Sequence, residues 1–133
     1  MFLVETDVIV AAINVRDPLH ELAKSILSRG KMMLSPYALI ELNLLIRSRI
    51  IVVRDYSAFW RKMNNLLEYY EIKVLAPKPE YHLEASILRD KYNLSYFDSL
   101  HAATSIIEGL TLISFDRDYS NVEGLKYMHP SKL

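Results

Sequence analysis

The sequence predicts an α/β fold of three layers, α/β/α, around a short central parallel sheet. Three observations carry this expectation. Short apolar runs alternate along the chain with segments whose apolar residues recur every three or four positions. Helix-start signals (Asp17-Pro18, Ser35-Pro36, Ser95) follow turns, and Gly30 and Gly109 stand where helices should end. Only 3 Gly and 5 Pro occur, with no repeat or low-complexity stretch. Nothing therefore reads as a linker, and residues 1–133 read as a single domain whose 51% hydrophobic content suffices for a core.

Phe2-Leu3-Val4 is a short buried strand ending near Glu5, and Val8–Ile13 follows as a short helix. Asp17 as N-cap and Pro18 at the first position open a second helix, with Leu19, Leu22, Ala23, Ile26 and Leu27 on its buried face. Gly30 closes it in the left-handed conformation. Met32-Met33-Leu34 is a second strand. After Ser35-Pro36, Leu39, Leu42, Ile46 and Ile50 form the buried stripe of a third helix, which carries Glu41 beside that stripe. Asp55 starts a helix with Phe59, Met63, Leu66 and Leu67 inward. Ile72–Leu75 is strand-like. Pro79 begins a helix through Leu83, Ile87 and Leu88. Ser95 caps an Ala-containing helix to Glu108, ended by Gly109. Leu110–Ser114 is a buried strand, and Leu125-Lys126-Tyr127 a final short one.

There is no cysteine, which excludes disulfides and thiolate metal sites and fits a cytoplasmic location. Met1-Phe2-Leu3-Val4 lacks the basic start of a signal peptide, and no apolar run approaches the ~18 residues of a membrane helix, so no membrane association is expected. Net charge is zero, from 16 basic and 16 acidic residues. Setting aside Glu5, Asp7, Glu41, Asp98, Asp116 and Asp118 leaves 16 basic against 10 acidic residues. Neutrality is thus compatible with an acidic pit in a mildly basic surface.

Those six acids fall in four segments: Val4-Glu5-Thr6-Asp7, Ile40-Glu41-Leu42, Tyr96-Phe97-Asp98-Ser99 and Ser114-Phe115-Asp116-Arg117-Asp118. Each sets a carboxylate in or beside apolar sequence, at a strand end or on a helix. Gathering carboxylates is unfavourable unless a positive charge lies between them, and a divalent cation with oxygen ligands supplies it. Such a cation can also polarise a phosphodiester and acidify a bound water. Taken singly, Glu5, Asp7 and Asp98 would equally suit helix N-termini, Glu41 a solvent face and Asp116–Asp118 a surface turn; the four together point to metal-dependent hydrolysis. His101 lies three residues after Asp98, but a hydrogen-bonded, partly buried histidine is a simpler reading than a metal ligand. Tyr56, Phe59, Trp60, Tyr69 and Tyr70 read as core or dimer contacts. Arg47, Arg49, Arg54, Arg61 and Lys62 form a basic group able to attract phosphates, or simply a solvated face.

In order and spacing, the four segments resemble those of PIN-domain ribonucleases, in particular the small VapC-type toxins of toxin–antitoxin pairs. The resemblance runs from Phe2 to Tyr119, and Leu94-Ser95-Tyr96-Phe97-Asp98-Ser99-Leu100-His101-Ala102-Ala103 is its most specific part. It implies a PIN-like fold and endoribonuclease activity. Glu5, Glu41, Asp98 and Asp116 would hold Mg²⁺ or Mn²⁺, Ser114 would orient the fourth acid or a water, and Asp7 and Asp118 would add negative potential. It further implies an RNA substrate, a homodimer and an antitoxin partner.

One position departs from that pattern. The family's first acid is usually Asp, whereas Glu5 stands here. The extra methylene moves the carboxylate by more than ~1 Å, a displacement that can lower a rate ~100-fold. Glu5 can reach the metal by another rotamer, Asp7 can take over, or the chain is a weak or inactive relative that dimerises and binds a partner protein. Asp7 is no automatic substitute, because a helix beginning here turns it about 200° from Glu5. A phosphotransferase-type hydrolase with a strand-end Asp nucleophile is a further alternative, weakened because Lys73 and Lys78 lack motif context.

Overall fold

Five short parallel strands, in the order β3-β2-β1-β4-β5, form the centre of the molecule. The computed structural model describes residues 1–133. The strands are β1 (Phe2–Val4), β2 (Met32–Leu34), β3 (Lys73–Val74), β4 (Thr111–Ile113) and β5 (Tyr127–Met128). Six helices connect them: α1 (Thr6–Ile13), α2 (His20–Leu27), α3 (Ala38–Arg47), α4 (Tyr56–Tyr69), α5 (Pro79–Tyr92) and α6 (Tyr96–Glu108). Short 3₁₀ turns follow at Arg117–Asn121 and Pro130–Lys132.

Side-chain alternation along the strands divides the core into two layers. Val4, Leu34 and Ile113 face an apolar cluster built with α1, α2, α3 and α4. Their neighbours Leu3 and Leu112 face the other way, into a cluster with Tyr81, Ala85 and Leu88 of α5 and Leu100, Ala102 and Ala103 of α6. This is the expected three-layer α/β/α arrangement. No helix is long and apolar enough to cross a membrane.

The chain runs outward from β1 through β2 to β3, then returns to place β4 on the other side of β1. The direction of winding therefore reverses between β1 and β4, and ligands of open parallel sheets gather beyond the strand ends at such a point. Val4 lies opposite both Leu34 and Ile113. Glu5, Ser35 and Ser114, each one residue further on, consequently emerge side by side.

Helix boundaries follow local chemistry closely where a cap is made. Asp55 accepts from Ala58 N–H at 2.9 Å and Ser95 from Asp98 N–H at 3.2 Å, opening α4 and α6. Gly109 ends α6 at a positive φ of 68°. Two expected starts shift. Asp17 caps a turn, accepting from Leu19 N–H at 2.8 Å, and α2 begins only at His20. Ser35-Pro36 likewise makes a turn before α3 begins at Ala38. Four expected core positions are also corrected. Leu19 precedes α2 and is exposed, and Ile50 lies beyond the end of α3 at 73% exposure. On α5, Leu83 and Ile87 are 68% and 52% exposed, because Tyr81, Ala85 and Leu88 form its buried face. Of the aromatic group, Phe59, Trp60 and Tyr70 pack on the core while Tyr56 and Tyr69 are exposed.

Candidate functional site

Glu5 occupies the centre of the pit. It follows β1 directly, caps α1 by accepting from Asp7 N–H at 3.3 Å, and is almost wholly buried. Its Oε2 accepts from the Ser114 hydroxyl at 3.1 Å and from the Tyr119 hydroxyl at 2.7 Å. Tyr119 OH also lies 3.1 Å from Asp98 Oδ1. One phenol thus bridges acids 93 residues apart on the chain, Glu5 at a strand end and Asp98 in the first turn of α6. Burial raises the Tyr119 pKa well above its ordinary value, and the charges of Glu5 and Asp98 add to that, so the bridging proton stays on the phenol.

Asp7 turns toward the end of β4. Its Oδ2 accepts from Ser114 Oγ and from Phe115 N–H, both at 2.9 Å. Its Oδ1 is buried without a hydrogen-bond partner. Burial, with the charge of Glu5, pushes the Asp7 pKa up to about 7. Ser114 offers one proton to Glu5 and Asp7 and accepts from Asp116 N–H at 3.1 Å. It therefore ties the first acidic segment to the fourth.

Glu41 enters from the first turn of α3. Its Oε1 accepts from the Thr6 hydroxyl in a short hydrogen bond and from His101 Nε2 at 2.9 Å. Burial alone would raise its pKa, but these two donors and the His101 charge bring it below the ordinary value. Burial raises Glu5, and the charges of Asp98 and Glu41 reinforce that against the opposing influence of His101 and Tyr119. Burial also raises Asp98, and the charge of Asp116 adds to it. His101 is the basic group acting on all four carboxylates. Burial lowers its own pKa, but the surrounding acids outweigh that and raise it.

Of the residues singled out from sequence, Glu5, Asp7, Glu41, Asp98 and Ser114 thus meet at the ends of β1 and β4. Asp116 stands at the edge, half-buried, its Oδ1 accepting from Asp118 N–H at 2.9 Å. Asp118 is exposed on the 3₁₀ turn, and its carboxylate makes no hydrogen bond. Two residues went unassigned to the pit. His101 is fully buried and pairs with Glu41, 60 residues away, and with Ser35. Tyr119 directly follows the fourth segment, and its only signal is an aromatic residue in a polar turn. Lys78 is engaged with Glu108 at 3.1 Å and Lys73 lies exposed on β3, so neither supplies the lysine of a phosphotransferase-type site.

One ligand atom from each of Glu5, Glu41 and His101 lies within 4.8 Å of the others. Together with Asp98, this set is dominated by carboxylate oxygens and carries excess negative charge. It suits a hard divalent cation.

A doubly sided parallel α/β sheet with acids gathered at its topological switch point defines the class. The chain matches the PIN domain family over residues 2–125, and it belongs to that family. No curated protein matches the chain by sequence. Its fold is that of VapC-type toxins. The VapBC2 structure of Rickettsia felis bound to promoter DNA is similar at TM-score 0.75, with 16% identity over 96% of this chain and 97% of that one. A toxin–antitoxin complex from Klebsiella pneumoniae gives TM-score 0.70, with 16% identity over 98% of both chains. VapC20 of Mycobacterium tuberculosis, a sarcin–ricin loop cleaving toxin, gives TM-score 0.69, with 22% identity over 90% of this chain and 93% of that one.

Proposed function

We propose that this protein is a metal-dependent endoribonuclease that hydrolyses RNA phosphodiester bonds and acts as the toxin of a cytoplasmic toxin–antitoxin pair. The observation that carries the reading is the convergence of Glu5, Glu41 and Asp98, from three separate parts of the chain, around buried hydrogen-bond donors. Glu5, Glu41 and Asp98 would hold Mg²⁺ or Mn²⁺, with Asp116 joining from the rim. A bound ion would polarise the phosphodiester and lower the pKa of a coordinated water. Ser114 orients Glu5 and Asp7, and Tyr119 holds Glu5 and Asp98 at a fixed separation. Asp7 and Asp118 contribute negative potential. Arg47, Arg49, Arg54 and Arg61 are exposed and available to phosphates, while the ammonium of exposed Lys62 donates to Ile13 O at 3.2 Å. Exposed Ile40 and Leu44 on α3, with Leu83 and Ile87 on α5, support a homodimer. The antitoxin complexes among the structural relatives support an antitoxin partner.

The decisive experiment is cleavage of unstructured and structured RNA by the purified chain with Mn²⁺. Asp98→Asn is expected to abolish cleavage while leaving fold and dimer intact. Cleavage at the wild-type rate by that variant removes Asp98 from the site.

A second reading is favoured by one observation: both Glu5 oxygens are engaged by this chain's own donors. Under that reading the protein is an inactive PIN-like module that dimerises and binds a partner protein. Tight Mn²⁺ binding by calorimetry without turnover on any RNA would favour it.

A further inference from the structure

A buried chain of hydrogen bonds runs beneath Glu41. Ser35 Oγ lies 2.6 Å from His101 Nδ1, and His101 Nε2 lies 2.9 Å from Glu41 Oε1. Ser35 and His101 are both wholly inaccessible to solvent. The Ser35 oxygen already accepts from Tyr37 N–H at 3.3 Å. Its own proton has one acceptor within reach, the His101 Nδ1 lone pair. In the neutral ring Nδ1 then accepts, so Nε2 carries the hydrogen and donates to Glu41; in the charged ring Nε2 carries it as well. Making Nε2 a metal ligand would require the opposite tautomer. That would strand the Ser35 proton and remove one of the two donors on Glu41 Oε1.

Both of those donors, Thr6 and His101, act on Oε1. Oε2 accepts no hydrogen bond, and the Glu41 side chain keeps 21% of its exposure. One oxygen is therefore anchored and the other is free.

We propose that His101 is a positioning residue for Glu41. Held in one tautomer by Ser35, it fixes Oε1 together with Thr6 so that Oε2 alone is presented to a divalent cation. This rests on the metal-dependent reading of the pit. It also assigns His101 a role other than ligand, although its ring nitrogen lies within 4.8 Å of the Glu5 and Glu41 ligand atoms. Orienting partners of this kind typically contribute about 10–100-fold in metal affinity.

The test is Mn²⁺ binding to the full chain by calorimetry, with thermal melts in EDTA to verify the fold of each variant. His101→Leu is expected to weaken Mn²⁺ about 10–100-fold. His101→Gln, whose amide N–H can occupy the place of Nε2–H, is expected to restore affinity to within about 3-fold of wild type. Pulsed EPR of Mn²⁺ bound to the wild type is expected to detect no directly coordinated nitrogen. If His101→Leu fails to fold, Ser35→Ala replaces it: the ring stays in the core, and a loss of about 3–10-fold is expected. A nitrogen ligand in the EPR spectrum overturns the proposal. So does unchanged affinity in His101→Leu or, where it is the substitute, in Ser35→Ala, or a failure of His101→Gln to rescue. If the wild type itself binds no Mn²⁺, the metal reading of the pit falls and the role of His101 with it. Binding by wild type with no effect of the variants sinks the His101 proposal alone.

Discussion

The two sides of the pit treat their carboxylates differently. On the α3 side, Glu41 has two donors on one oxygen, and its pKa lies below the ordinary value despite burial. On the β4 side, Glu5, Asp7 and Asp98 share their hydroxyl donors: Ser114 and Tyr119 each supply one hydroxyl to a pair of acids. All three are raised, burial being the largest cause in each. The difference teaches that the kind of donor matters more than the number: His101 donates directly to Glu41, whereas Glu5, with three donors, has none from a basic group. On the α3 side Glu41 Oε1 has both its donors, whereas on the β4 side Asp7 Oδ1 is buried with no partner.

The largest test of this contrast is Asp7→Asn in EDTA. Asp7 titrates near 7 in the fold against 3.8 ordinarily. The folded state therefore holds a proton that the unfolded state releases at lower pH. Its stabilising effect is complete below about pH 4 and is lost as pH rises to about 7. The displacement sets an upper bound of about 4 kcal/mol. An Asn at this position keeps a carbonyl oxygen for Ser114 and Phe115 and carries no charge. Urea denaturation should find it more stable than wild type at pH 8 and little different at pH 4. Equal stability at both values would mean that Asp7 is not strained.

Tyr119→Phe comes next. Removing the bridging hydroxyl leaves Glu5 with Ser114 as the one hydroxyl donor on Oε2. A charge-assisted hydrogen bond of this type contributes about 1.5–3 kcal/mol, so the urea midpoint should fall accordingly. No change would mean that the bridge is dispensable. The smallest expected effect is that of Ser95→Ala, which deletes the cap of α6 and the contact with Asp98 N–H. A loss of about 1 kcal/mol is expected by thermal denaturation. A loss equal to that of Tyr119→Phe would show that the helix start, not the phenol, governs the β4 side.

Much of this site could be read along the chain, because local chemistry marks it. Glu5 follows an apolar strand, Asp98 sits three residues after a serine cap, and Ser114-Phe115-Asp116 follows another strand. What escaped was pairing at long range. By helical spacing His101 neighbours Asp98, but its ring lies between Ser35, just beyond β2, and Glu41 on α3. The stripe on α5 failed for a related reason. Leu83 and Ile87 are apolar at helical spacing, but the sheet meets the face bearing Tyr81, Ala85 and Leu88.

The order of strands and helices, the caps at Asp55 and Ser95 and the acids at strand ends follow from the sequence by itself, since propensity, periodicity and capping act within a few residues. The tertiary structure alone decided which acids are satisfied and which are not. Register sets Glu5 between Ser35 and Ser114, and the return of the chain to β4 brings Tyr119 onto Glu5 and Asp98. Hydrogen bonds of short reach depend on where distant backbone ends up, and no local rule specifies that.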